Sequence, residues 1–158
     1  MSKLIVVAVI LALVAFYFIR SNNNKEAAKE NIQQGLDFLI ENKSAEGVIE
    51  TPTGLQYKVI TAGTGSEHPS ATDKVKVHYH GTLLNGTVFD SSVERDQPIS
   101  FGLNQVISGW TEGVQLMVVG DKTRFFIPAN LGYGNSASGK IAPGSLLIFE
   151  VELLAINE

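Results

Sequence analysis

Residues 74 to 92, KVKVHYHGTLLNGTVFDSS, leave little freedom in how this chain can fold. Apolar and polar side chains alternate strictly. Val75, Val77, Tyr79 and Leu83 fall on one face, and Lys74, Lys76, His78, His80 and Thr82 on the other. A period of two belongs to a strand with one buried face. Asn85-Gly86 then offers the positive φ angles of a tight hairpin. The returning strand ends in Phe89 followed at once by Asp90. A carboxylate leaving an apolar strand is costly to bury unless it is paired. With a two-residue turn, Asp90 lies opposite Gly81 on the Tyr79 face, within reach of a tyrosine hydroxyl and of Arg95. That register sends Phe89 to the other face, so a bulge or a longer turn is needed if both line one pocket. Spacing alone favours the plainer alternative, in which Asp90 closes an Asx-turn on its own backbone.

Further strands follow from the same pattern at LQYKVI (55 to 60), TRFFIP (123 to 128) and SLLIFEVELLAIN (145 to 157). In the last, Leu147, Phe149, Val151, Leu153 and Ala155 face inward. Between them, SGWTEGVQLM (108 to 117) reads as a helix with Trp110, Val114 and Met117 on one face and Ser108 as its cap. Four or five strands and one short helix without βαβ alternation give an α+β fold, an antiparallel sheet with the helix on its inner face.

The start of the chain has a different character. Residues 4 to 19, LIVVAVILALVAFYFI, are sixteen apolar residues closed by Arg20. As a helix they rise ~24 Å, against a hydrocarbon core of ~30 Å. No small-x-small cleavage site follows, which favours an uncleaved anchor over a signal peptide. After the polar spacer SNNN (21 to 24), a second helix is expected from Lys25 to Lys43, with Ala28, Ile32, Leu36 and Leu39 as its apolar stripe, widened by Phe38 and Ile40. Packing on its own domain and service as a dimerisation arm both remain open for that stripe. The divisions are then 1–20 as anchor, 21–53 as spacer, helix and linker, and 54–158 as a folded domain. The charge balance around the anchor leans toward a cytoplasmic domain.

Several chemistries find no support. Cysteine is absent, which removes disulfides and thiolate chemistry. A formal net charge of −4 gives no basic face for nucleic acid. His78 and His80 make at most half a metal site beside Lys74 and Lys76, so no metal and no cofactor is expected. What remains is a set of aromatic residues from separate elements, Tyr79, Phe89, Phe101, Trp110, Tyr133 and Phe149, with Tyr133 in the glycine-rich loop NLGYGNSASGK.

Four stretches, VHYHGTLLNGTVFDSS, VISGWTEGVQLMVVGDK, IPANLGYGN and LLIFEVELL, resemble the FKBP-type peptidyl-prolyl cis/trans isomerases from about Gly54 to Ile156. GLDFLIENKSAEGVIETPTGLQYKVI further resembles the bacterial membrane-associated branch typified by the macrophage infectivity potentiator. The resemblance implies a half β-barrel wrapped on a short helix. It implies isomerase activity on Xaa-Pro-containing polypeptides, with a tethered proline-binding module of little turnover as the alternative. It implies a pocket of Tyr79, Phe89, Asp90, Arg95, Phe101, Val106, Ile107, Trp110, Tyr133, Ile141 and Phe149, with Asp90, Tyr133, Trp110 and Phe149 in the catalytic role. In the family Asp90 pairs with a tyrosine and an arginine, which raises the pocket reading over the Asx-turn. Macrolides such as rapamycin are implied as inhibitors, although Ile99 stands where many members carry an aromatic and the loop after Tyr133 is short. The branch implies a single-pass inner-membrane protein with a periplasmic domain. Homodimerisation is left open.

Overall fold

Four weak helix formers in a row do not stop a helix. The computed structural model describes residues 3–158, and α1 (Lys3–Asn42) runs unbroken through residues 21–24. The expected division into an anchor helix and a separate amphipathic helix is therefore corrected to one element. Serine and asparagine each cost at most ~0.7 kcal/mol in a helix interior, whereas a break requires a new, unfavourable nucleus.

The two halves of α1 have different surroundings. Residues 3–20 are exposed all round. From Ala28 onward the helix lies against the folded domain, and Ala28, Gly35 and Leu39 are buried. Leu39 packs on Phe126 and Leu146, with Phe38, Val48 and Ile148 around them. The chain's own domain thus covers the stripe, but on a face rotated from the expected one. Leu36 and Ile40 stay exposed, and Gly35 takes the central position because a Cβ there would lie 3.1 Å from that of Leu146.

The domain is one antiparallel sheet. Its strands are β1 (Ile49–Glu50), β2 (Gln56–Thr61), β3 (Lys74–Thr82), β4 (Val88–Ser91), β5 (Ile99–Gly102), β6 (Lys122–Ile127) and β7 (Leu147–Ile156). They run in the order β1-β2-β6-β7-β3-β4, with β5 also paired to β3. β1 and β5 were not expected, being two and four residues long and lacking an alternating run. Register shifts in the β2–β6 and β3–β7 pairs bend the sheet in the manner of bulges. The concave face holds α2 (Ser108–Val114). Gly109 and Gly113 let it sit close, since a Cβ at either would come within 2.6 Å of Ile127 or Phe125. Ser108 is not the cap. Ile107 precedes the helix without a side-chain cap bond, and the helix stops at Val114, three residues short of the expected Met117.

Candidate active site

The hairpin that opens the sequence argument reaches the expected pairing by an unexpected route. Gly81 does face Asp90. The loop, however, spans residues 84–86, with the Leu83 amide donating to the Thr87 carbonyl (2.9 Å) and Gly86 at φ 87°. This three-residue loop displaces the register by one. A bulge between the Thr82–Val88 and Gly81–Asp90 pairs restores it, and Phe89 is the extra residue. The bulge turns Phe89 toward the Tyr79 face, where its ring stands edge-on to Phe149 at 5.2 Å. Gly81 is required beneath them: a Cβ would come within 2.7 Å of Phe89 and 2.8 Å of Phe149.

Asp90 is held from two sides. Tyr79 donates its hydroxyl to Oδ2 (2.5 Å), and Arg95 donates Nη1 to Oδ1 (2.5 Å) and Nη2 to the Tyr79 hydroxyl (3.2 Å). Side-chain partners, rather than an Asx-turn, are therefore its main contacts. Burial pushes the Asp90 carboxyl up. The Tyr79 hydroxyl, Arg95 and the Ser91 amide outweigh that and hold it below the usual carboxylate range. Burial, then the facing carboxylate, push the Tyr79 phenol above its ordinary value.

Tyr79 and Asp90, with Arg95 behind them, form one edge of a cavity of about 510 Å³ lined by Tyr79, Asp90, Ile99, Phe101, Gln105, Val106, Ile107, Trp110, Tyr133 and Phe149. Trp110 is buried at its base, edge-on to Tyr79 (5.3 Å) and to Phe149 (5.1 Å) and tilted against Phe101 (5.4 Å). Its Nε1 has no hydrogen-bond partner among the described residues. Tyr133 stands half-exposed on its loop.

Eight residues of the expected pocket thus share the cavity lining. The other three stand behind it: Phe89 backs Phe149, Arg95 backs Asp90, and Ile141 lies in the core cluster. Ile99 and Gln105 line the cavity without having been placed there. Ile99 was legible, because i, i+2 spacing puts it on the face of Phe101. Gln105 sits on a 3-10 turn, Leu103–Gln105, where no periodic signal exists.

His78 and His80 are half-buried and occupied. His78 Nδ1 meets the Ser92 hydroxyl (2.6 Å) and His80 Nδ1 the Ser91 hydroxyl (2.8 Å), joining β3 to the segment that carries Asp90. Among the described residues no three His, Asp or Glu side chains gather as a metal site would require.

A bent antiparallel sheet, one glycine-faced helix and an aromatic cavity edged by a Tyr-Asp pair with an arginine behind it define a binding domain for a compact apolar group. The model of the FKBP-type peptidyl-prolyl cis-trans isomerase matches residues 65–154, and that of the domain amino terminal to it matches residues 11–59. The chain is 56% identical over 131 residues to the FKBP-type peptidyl-prolyl cis-trans isomerase FkpA of Aeromonas hydrophila, covering 83% of this chain and 48% of the relative. It is 46% identical over 140 residues to the outer membrane protein MIP of Legionella longbeachae, covering 88% and 60%. The crystal structure of FkpA from Escherichia coli superposes with a TM-score of 0.88 at 36% identity, over 99% of this chain and 74% of that one. The chain belongs to the FKBP-type peptidyl-prolyl cis-trans isomerase family. It spans about half the length of the curated relatives it matches.

Proposed function

We propose that this chain accelerates cis/trans rotation about Xaa-Pro bonds in unfolded or folding polypeptides. The observation that carries this reading is the cavity based on Trp110 and edged by Tyr79 and by Asp90, which Arg95 holds from behind. Rotation breaks no covalent bond. Its barrier, roughly 18–20 kcal/mol, is lost amide resonance. The planar amide is more polar than the twisted one, so an apolar enclosure raises the ground state more than the transition state. In this reading Trp110, Phe149, Phe101 and Ile107 hold the proline ring, Val106 shapes the rim, and Tyr133 and the Ile107 amide donate to the flanking carbonyls. Asp90, fixed by Tyr79 and Arg95, orients the wall and meets the carbonyl carbon of the twisted bond. Phe89 and Ile141 support these groups from behind. In this reading macrolides such as rapamycin compete for the same cavity.

α1 is long and apolar enough to cross a membrane. In this reading residues 1–20 form a single-pass inner-membrane anchor, 21–53 a connecting arm, and 54–158 a periplasmic isomerase domain. The all-round exposure of residues 3–20 supports the anchor.

The test is cis-to-trans relaxation of a short Xaa-Pro peptide with the full chain in detergent. Acceleration that rapamycin blocks is expected. Tyr133→Phe removes one hydrogen bond worth ~1 kcal/mol and is expected to lower kcat/KM about five-fold; Asp90→Ala is expected to lower it further. Full efficiency in both folded variants would remove the polar roles assigned here. No acceleration by the folded wild type would leave a tethered proline-binding module.

A further inference from the structure

The loop that carries Tyr133 is fastened to α1 at Ala28 and Asn31, roughly 13–18 Å along the helix past the apolar run, and reaches back to the end of that run at Asn135. Asn31 Nδ2 donates to the Pro143 carbonyl (2.8 Å). At the next residue, a Cβ on Gly144 would fall 2.3 Å from the Ala28 carbonyl, so the backbones touch. The Gly144 amide in turn donates to the Gly134 carbonyl (2.8 Å), which ties the fastened end of the loop to the residue after Tyr133. One position further, Asn135 borders a surface cleft shared with Tyr17, Arg20, Ser21, Asn24 and Lys25 of α1. Ser21 is half-buried there, whereas its neighbours on either side are exposed.

The apolar run falls short of a hydrocarbon core by about 6 Å, roughly four helical residues. A short span draws its flanking residues into the interface, and the flank here is the stretch of α1 beside Asn135. Charge agrees with that position. The chain carries a net charge of −4, yet no acidic residue occurs from 122 to 149, and the loop itself carries Lys140. Arg20 and Lys25 lie across the cleft. An anionic headgroup layer would meet basic and uncharged groups only from this loop.

We propose that the Tyr133 loop, at residues 134–140, rests in the headgroup layer of the bilayer that α1 crosses, so that the mouth of the proline cavity opens at the membrane surface. This rests on α1 being membrane-inserted, and the test separates the two. The full chain has no cysteine, so single sites can be labelled. Ile10→Cys, Ala137→Cys and Ser66→Cys would each carry an environment-sensitive fluorophore in vesicles of three parts phosphatidylcholine to one of phosphatidylglycerol. Ser66 lies by the Leu154–Ile156 end of β7, about 30 Å of strand from the end where α1 docks. Acyl-chain spin labels are expected to quench Ile10. Headgroup spin labels are expected to quench Ala137 at least two-fold more than Ser66. Equal response at Ala137 and Ser66 with Ile10 quenched would overturn the surface contact and leave the anchor standing. An unquenched Ile10 would overturn both.

Discussion

Gly81 points its missing side chain at two rings of the aromatic cluster. The nearest atoms are ring carbons of Phe89 and Phe149 at 2.7 and 2.8 Å from a virtual Cβ, and Phe149 lines the cavity. Gly81→Ala is therefore expected to displace that wall. Overpacking of this kind costs ~1–3 kcal/mol, and kcat/KM toward an Xaa-Pro peptide is expected to fall about ten-fold with the far-ultraviolet circular dichroism unchanged. Asp90 makes a second prediction at this scale. Its carboxyl is held below the usual range, so the folded state favours the ionised form. That contribution is complete above the unfolded value, about 3.9, and is lost as pH falls through the lower folded value. The difference in urea midpoint between wild type and Asp90→Asn is expected to be flat above pH about 5 and to shrink below about 4. A constant difference down to pH 2 would show that the carboxylate charge contributes nothing. The pairing of Gly81 with Asp90 was legible from the Asn-Gly signal. The way it arises was not, because a two-residue turn and a three-residue loop with a compensating bulge give the same Gly81–Asp90 pair and differ in the pairs between loop and bulge and in where Phe89 goes.

At the scale of elements, α2 shows why glycine in a helix is informative only in context. By propensity, Gly109→Ala would stabilise an exposed helix by ~1 kcal/mol. Here the added methyl meets Ile127 at 2.6 Å, and Ile127 is itself fully buried. The helix must lift, and a net loss of ~1–2 kcal/mol is expected. Trp110 is the chain's single tryptophan and sits one residue away, so its emission is expected to shift on the same substitution. A stabilised variant with unchanged emission would mean that α2 does not press on β6 as described. Strands and helix were legible wherever burial imposes a period, as along β3 and β7, whose alternate residues are buried. Periodicity was silent at β1 and β5, which are too short to repeat. At residues 21–24 composition misled, because polarity marks exposure and not helix termination.

For the molecule as a whole, the decisive feature is that one rigid rod connects the apolar run to the domain. No flexible linker separates them before Asn42. At the foot of the rod Gln56, fully buried, donates to the Leu39 carbonyl (2.8 Å) and to Glu50 (2.9 Å) and accepts from Asn42 (2.9 Å). If α1 is inserted as proposed, the height of the cavity mouth above the membrane is set by helix length, and it can be changed without touching the site. Seven helix-forming residues inserted between Arg20 and Ser21 add about 10.5 Å of rise and rotate the domain by only ~20°. They leave every contact from Ala28 onward in place. If the mouth opens at the bilayer surface, the insertion is expected to lower kcat/KM several-fold toward an Xaa-Pro peptide tethered to lipid by a short spacer. Efficiency toward the same peptide free in solution is expected to stay the same. A long spacer should erase the difference, since the tethered proline then reaches the raised mouth. Equal efficiency toward the short-tethered peptide before and after insertion would mean that the height of the cavity does not select its substrates.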